Sequence, residues 1–139
     1  MTKYGAKKTI VDGIKFDSKM ESDFYLWLKQ LKEEGKIIDF TLQPKFELQA
    51  SFRKRGILFR KIEYRADFMV TQIDDAQVII DVKGVETADF KIKRKLFEKK
   101  YPYELKLFTK CPKKFGGGFI ELDHLKKLRK EEKQAARVK

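Results

Sequence analysis

Residues 64–83 read YRADFMVTQIDDAQVIIDVK, and the reading of the fold turns on them. Tyr64, Ala66, Phe68 and Val70 alternate with Arg65, Asp67 and Met69, the period of a strand with one face inward. Asp74-Asp75 makes the next turn. Residues 77–83 form a second strand, with Val78, Ile80 and Val82 on one face and Ile79, Asp81 and Lys83 on the other. A hairpin centred on Asp74 opposes residues whose numbers add to 148, and Asp67 and Asp81 are such a pair. Residues so opposed have Cβ atoms about 4.5–5.5 Å apart. Two carboxylates in apolar strands at that distance are in conflict, because each resists desolvation and each repels the other. A bound divalent cation would resolve it, and hard oxygen ligands suit Mg²⁺ or Mn²⁺. The inference depends on register, since a slip of one residue sends the pair to opposite faces.

Lys83 lies two residues beyond Asp81, so both side chains leave the same face. Its ammonium could neutralise a carboxylate, orient or deprotonate a water, or stabilise charge developing on phosphate. A salt-bridged surface strand is the plainer explanation of Asp-x-Lys. Upstream, Asp17 or Ser18 can cap a helix, and Ser18 with Glu21 fits a capping box. Met20, Phe24, Trp27, Leu28 and Leu31 follow at helical spacing, and Gly35 ends the helix. Glu21 shares a face with Phe24 and Leu28, so it points toward the acidic pair if that face packs on the sheet. Alternatively, it only caps its helix.

Working outward, residues 1–16 read as a basic arm broken by Gly5 and Gly13. Residues 42–48 carry Pro44, which suits a strand start or edge. Lys54-Arg55-Gly56 is a turn. A basic helix capped by Thr87 or Asp89 runs to about Lys100, packed by Phe90, Leu96 and Phe97, and Tyr101-Pro102 stops it. A strand over 103–108 follows, then a mobile loop at Pro112 and Gly116-Gly117-Gly118. A last helix over about 121–133 carries Leu122, Leu125 and Leu128, and its tail frays. This order predicts an α/β (mixed α+β) chain with a single central mixed β-sheet flanked by helices. The expected divisions are the arm at 1–16, a core at 17–110, and a loop with basic helix and tail at 111–139.

Lys plus Arg is 33 against 21 Asp plus Glu, a net charge of +12 over 139 residues. That excess favours a polyanionic partner, although charge that merely keeps the protein soluble would look the same. With 42% hydrophobic residues and 12 Phe, the chain can build one core, so global disorder is excluded. A single Cys and a single His exclude a disulfide scaffold and a Cys- or His-built zinc site within one chain. No apolar run of about 18 residues occurs, and residues 1–12 lack a secretory signal, so a cytoplasmic protein without membrane contact is expected. Three basic blocks stand out: Arg53 to Arg55 with Arg60 and Lys61, Lys91 to Lys100, and Lys126 to Lys139.

Glu21, Asp67 and Asp81-Val82-Lys83 together resemble the motif of the PD-(D/E)XK nuclease superfamily. That motif is an acid on a first helix, an Asp at a strand start, then (D/E)-x-K on the next strand. The resemblance extends to a small phage- and prophage-encoded endonuclease family, similar to Holliday junction resolvases. It is carried by residues 12–21 (DGIKFDSKME), Gln43-Pro44-Lys45-Phe46, Tyr64-Arg65-Ala66-Asp67-Phe68, Asp81-Val82-Lys83-Gly84, residues 93–97 and Tyr101-Pro102, over roughly residues 3–108. Ala66 stands where the superfamily name has Pro, and Asp81 replaces the more frequent Glu.

The resemblance implies a restriction-endonuclease-like core and a metal-dependent endodeoxyribonuclease, acting on branched or four-way-junction DNA as a homodimer. Its location would be the cytoplasm of a phage-infected or lysogenic bacterial host. Asp67 and Asp81 would hold Mg²⁺ or Mn²⁺ with the Val82 carbonyl, and Glu21 would reach a second ion. Lys83 would act on the attacking water, and Gln43 would be an accessory group. Lys7, Lys8, Lys15, Lys19, Lys91, Lys93, Arg94 and Lys95 would grip phosphates. The rival readings are a non-catalytic nucleic-acid-binding module and a phage replication or recombination accessory protein.

Overall fold

In the computed structural model, which describes residues 8–137, the predicted hairpin register is present. Strands β8 (Phe68–Thr71) and β9 (Gln77–Val82) pair antiparallel with Phe68 opposite Ile80 and Val70 opposite Val78. Asp75, at φ 69°, and the Gln72 N–H bond to the Ala76 carbonyl close the turn. The described residues form two compact units. One comprises residues through Gln30, Val82–Gly84 and residues from Leu107 onward; the other comprises Leu31–Asp81 and Val85–Lys106.

In the second unit, β8 also pairs antiparallel with β3 (Asp39–Leu42), and β4 (Lys45–Gln49) pairs with β7 (Ile62–Arg65). Both ladders oppose residues whose numbers add to 110, up to a bulge after Glu47. They are therefore one antiparallel ribbon with a break in the middle. The predicted continuous strands over 42–48 and 64–71 are each divided at that break. Gln43 there takes φ 50°, and Pro44 offers no N–H to a ladder. The break keeps the register: the Gln43 N–H bonds the Asp67 carbonyl at 2.9 Å and the Ala66 N–H bonds the Pro44 carbonyl at 3.0 Å. β5 (Phe52–Lys54) and β6 (Ile57–Phe59) form a further hairpin, turning at Arg55 and Gly56 with φ 52° and 77°. Two successive positive φ values make a type I′ turn, which matches the twist of the flanking strands. Helix α2 (Ala88–Lys100) is capped by Thr87, whose Oγ1 accepts the Phe90 N–H at 3.1 Å, so Thr87 rather than Asp89 is the cap. Its buried Phe90 and Phe97 join Phe46, Tyr64 and Tyr101 in an aromatic cluster, Phe46 and Phe97 lying 4.9 Å apart edge to face.

In the first unit, the expected arm contains strands. β1 (Thr9–Val11) and β2 (Ile14–Phe16) make a hairpin through Asp12 and Gly13, again with two positive φ values, 52° and 76°. Helix α1 (Lys19–Glu33) starts at Ser18, whose Oγ accepts the Glu21 N–H at 3.1 Å. The Tyr25 hydroxyl and the Lys29 ammonium both donate to Asp12 Oδ2, at 2.9 and 2.6 Å, tying the hairpin turn to the helix. The Lys29 bond, then the Tyr25 bond, holds the Asp12 carboxyl below the usual carboxylate range.

Phe24 is fully buried beside Trp27, Phe108 and Phe119. β10 (Glu104–Lys110) pairs antiparallel with β11 (Phe119–Glu121), a strand that the sequence reading assigned to the loop and last helix. Their connection contains a 3-10 turn over Lys113–Phe115 and is closed by the Cys111 N–H bond to the Gly118 carbonyl at 2.8 Å. Helix α3 spans Leu122–Arg137, longer than the predicted 121–133, and buries Leu122 and Leu125.

Along the chain, the hydrogen-bonded order of the main sheet is β11-β10-β9-β8-β3, a mixed five-stranded sheet in a chain with three helices. This is consistent, at a general level, with a restriction-endonuclease-like α/β core. The expectation of a single sheet is corrected, because β1-β2, β4-β7 and β5-β6 form separate two-stranded ladders. The sequence hides two of these: one lies among lysines and the other buries neither face, so hydrophobic alternation is weak. Among the described residues, no helix is long and apolar enough to cross a membrane.

Candidate functional site

The break in the ribbon places Asp67 just before β8, opposite Asp81 near the end of β9. β9 is buried on both faces from Val78 onward, so Asp81 sits 3% exposed in a central strand. Such a carboxylate must be paired or hydrogen-bonded. Asp81 Oδ1 accepts the main-chain N–H of Asp67 at 3.0 Å, an N–H that also lies 3.2 Å from the Ile80 carbonyl. Asp81 Oδ2 accepts the hydroxyl of Tyr64. The two aspartates are thus coupled through the backbone of one and the carboxylate of the other.

Tyr64 was not among the residues singled out from the sequence. It lies on β7, its ring buried between Phe90 and Phe97 at centroid distances of 6.0 and 5.7 Å. Burial pushes the Tyr64 hydroxyl far above its ordinary range, and the Asp81 charge and hydrogen bond, then the Asp67 charge, push the same way. It therefore stays a donor at every physiological pH. The Arg94 charge works in the opposite direction on the same hydroxyl. Arg94 is half-buried on α2, 3.4 Å from Glu86 Oε2. The sequence holds one usable sign of this arrangement: Tyr64 is on the inward face of its strand, where a hydroxyl needs a partner.

Loss of the Tyr64 hydroxyl removes a donor from a buried carboxylate. A Tyr64→Phe variant should lose about 1.5–3 kcal/mol of stability, the range for a hydrogen bond to a charged group. Urea unfolding checks this, and an unchanged midpoint would show that the bond contributes nothing net.

Gln43 lies at the break, exposed, its main chain bonded to the Asp67 carbonyl. Glu21, Val82 and Lys83 belong to the first unit. Glu21 is 5% exposed on α1, Val82 is buried, and Lys83 is half-buried with its N–H bonded to the Phe108 carbonyl at 2.9 Å. Among the described residues, no buried side-chain nitrogen or oxygen lacks a hydrogen bond. Among the same residues, no three His, Cys, Asp or Glu side chains are grouped so as to hold a metal ion.

Of the expected phosphate contacts, Lys7 lies outside the described residues. Lys8, Lys15, Lys91 and Lys95 are exposed. Lys19 pairs with Asp23 at 3.2 Å and Lys93 lies 3.9 Å from Asp89. Arg94 differs in kind: it is half-buried and lies 3.4 Å from Glu86 Oε2, where the sequence reading grouped it with the surface lysines.

A family model described as "Protein of unknown function (DUF1064)" matches residues 1–116. No curated protein and no solved structure matches the chain significantly.

Proposed function

The chain belongs to the DUF1064 family, and from that membership and the Asp67–Asp81 pair we propose a metal-dependent endodeoxyribonuclease acting on branched DNA or four-way junctions. The family's loose link to PD-(D/E)XK-like nucleases supports the class of chemistry. The observation that carries the reading is the buried Asp81, opposed to Asp67 at a break in the sheet and followed in the chain by Val82 and Lys83.

These residues fit a hard cation in kind. Asp67 and Asp81 offer carboxylate oxygens and Val82 a carbonyl. A carboxylate oxygen carries two lone pairs, so a hydrogen bond and a cation can share one oxygen. The absence of a three-residue cluster among the described residues is compatible with Mg²⁺, which commonly takes one or two carboxylates and keeps its waters. When bound, Mg²⁺ or Mn²⁺ lowers the pKa of an attacking water and offsets charge on the phosphate. Tyr64 and the Asp67 N–H hold the Asp81 carboxylate in one orientation. Lys83 orients the water or takes its proton. Glu21 serves a second ion, as the motif resemblance suggests, and Gln43 is the accessory group at the break. Lys8, Lys15, Lys91 and Lys95 hold phosphates without reading sequence. A homodimer would present two such sites to the two strands of a junction, in the cytoplasm of a phage-infected or lysogenic bacterial host.

A second reading, a non-catalytic nucleic-acid-binding module or recombination accessory protein, draws on one observation. Tyr64 and the Asp67 N–H satisfy the Asp81 carboxylate through the protein's own donors. The deciding experiment incubates wild type and Lys83→Ala with junction, flap, single-stranded and duplex DNA in Mg²⁺, Mn²⁺ or EDTA. The nuclease should cut only with metal and prefer the junction, and Lys83→Ala should be slower by roughly 10²- to 10⁴-fold. Failure to cut any substrate, or a Lys83→Ala rate equal to wild type, would leave the non-catalytic reading standing.

A further inference from the structure

The β5–β6 hairpin plays no part in the site described above. Every residue over 49–61 is exposed, on both faces of the ribbon. Phe52, Ile57, Leu58 and Phe59 are 44%, 57%, 48% and 42% exposed, side chains that ordinarily seek a core. Arg53, Lys54, Arg55, Arg60 and Lys61 lie among them, with no acid between Glu47 and Glu63. Lys61 lies 3.6 Å from Glu63. Phe52 and Phe59 are direct cross-strand partners, their rings stacked at 4.9 Å and 12°. Two three-residue strands are marginal by themselves in water. Five cations in nine positions also repel one another until a polyanion neutralises them.

We propose that this hairpin is a DNA-engaging wedge. Arg53, Lys54, Arg55 and Arg60 take phosphates, and the stacked Phe52–Phe59 pair offers a ring face to a base left unstacked at a branch point. Charge selects the polyanion. The near-parallel ring pair selects nucleic acid over an anionic lipid surface, because a base supplies a flat π face and a lipid headgroup does not. The choice of branched DNA rests on the nuclease reading above; binding to unpaired bases does not.

The test measures binding in EDTA, where no cleavage can contribute. Fluorescence anisotropy of the full chain is recorded on a four-way junction, a single strand and a fully paired duplex across a salt series. For the combined Arg53→Ala, Arg55→Ala, Arg60→Ala variant, the slope of log affinity against log salt should become shallower by about 2–3 on paired DNA. Phe52→Ser with Phe59→Ser should weaken junction and single-strand binding by about 5- to 100-fold and duplex binding by less than about 2-fold. Phe59→Tyr, which keeps the ring face, should bind like wild type. The wedge is overturned if the combined Arg-to-Ala and Phe-to-Ser variants bind all three DNAs as wild type does. It is equally overturned if they lose pelleting with phosphatidylserine vesicles, or self-association by sedimentation, while DNA affinity is intact. A protein that cuts DNA but binds it independently of the hairpin refutes only the wedge. One that never cuts but needs the hairpin to bind refutes only the nuclease.

Discussion

Asp81→Asn should reduce DNA cleavage by roughly 10²- to 10³-fold or more, the scale of losing one group that stabilises charge in the transition state. The substitution keeps the shape of the side chain. Its carbonyl can still accept the Asp67 N–H, and its amide can donate to the Tyr64 oxygen, reversing the bond now made to Asp81 Oδ2. The fold should therefore persist at a cost of about 1–2 kcal/mol, within the range for a changed buried hydrogen bond. What disappears is the negative charge, which a hard cation needs and a structural hydrogen bond does not. A variant that stays folded and keeps its DNA affinity but loses metal-dependent cutting would identify the carboxylate as part of the chemistry. Full cutting by Asp81→Asn would end the nuclease reading. Asp67→Asn is the informative companion, because the N–H that Asp67 gives to Asp81 is main chain and survives any side chain but proline's.

The second large effect is on stability. Phe24→Ala should cost about 3–5 kcal/mol, the usual loss for a fully buried aromatic ring. Phe24 is 0% exposed, and its ring lies 5.2, 5.4 and 5.0 Å from Trp27, Phe108 and Phe119. Those neighbours come from α1, β10 and β11, so collapse into the vacated space would require movement of several elements. Total stabilities of domains are only about 5–15 kcal/mol, so the variant should be close to unfolding at 37 °C. Trp27 is the single tryptophan and reports on this cluster directly. Denaturant unfolding followed by its fluorescence would measure the loss. A change below about 1 kcal/mol would mean that the ring is not packed as described. Phe24→Leu should recover most of the stability, costing less than about 1.5 kcal/mol.

Much of the site's framework was legible because it is written in short-range patterns. Alternation over residues 64–71 and 77–83, with Asp74-Asp75 between them, specified the register that opposes Asp67 and Asp81, and β8 and β9 pair in that register. Ser18 before α1 and Thr87 before α2 are caps by their own side-chain chemistry. Four hairpin strands and β11 were missed for a common reason: each is three residues long, too short for alternation to show. The Asp12-Gly13 turn did carry a hairpin signal, masked by the lysines around it. The division of the long ribbon was hidden too, because the hydrophobic period continues through Ala66 and Asp67 while the backbone does not.

By itself the sequence determined that two acids face each other beside an Asp-x-Lys strand end in a strongly basic chain. Those facts follow from spacing along one ladder, which the chain carries wherever it folds. Only the tertiary structure decided that Tyr64 reaches Asp81, that Arg94 pairs with Glu86, and that the Arg53 to Arg60 hairpin keeps its phenylalanines in water. Tyr64 stands just before the break in the ribbon at Gln43-Pro44 and Ala66-Asp67. A break redirects everything beyond it, so groups far apart in the chain meet through a change of direction that no local period records.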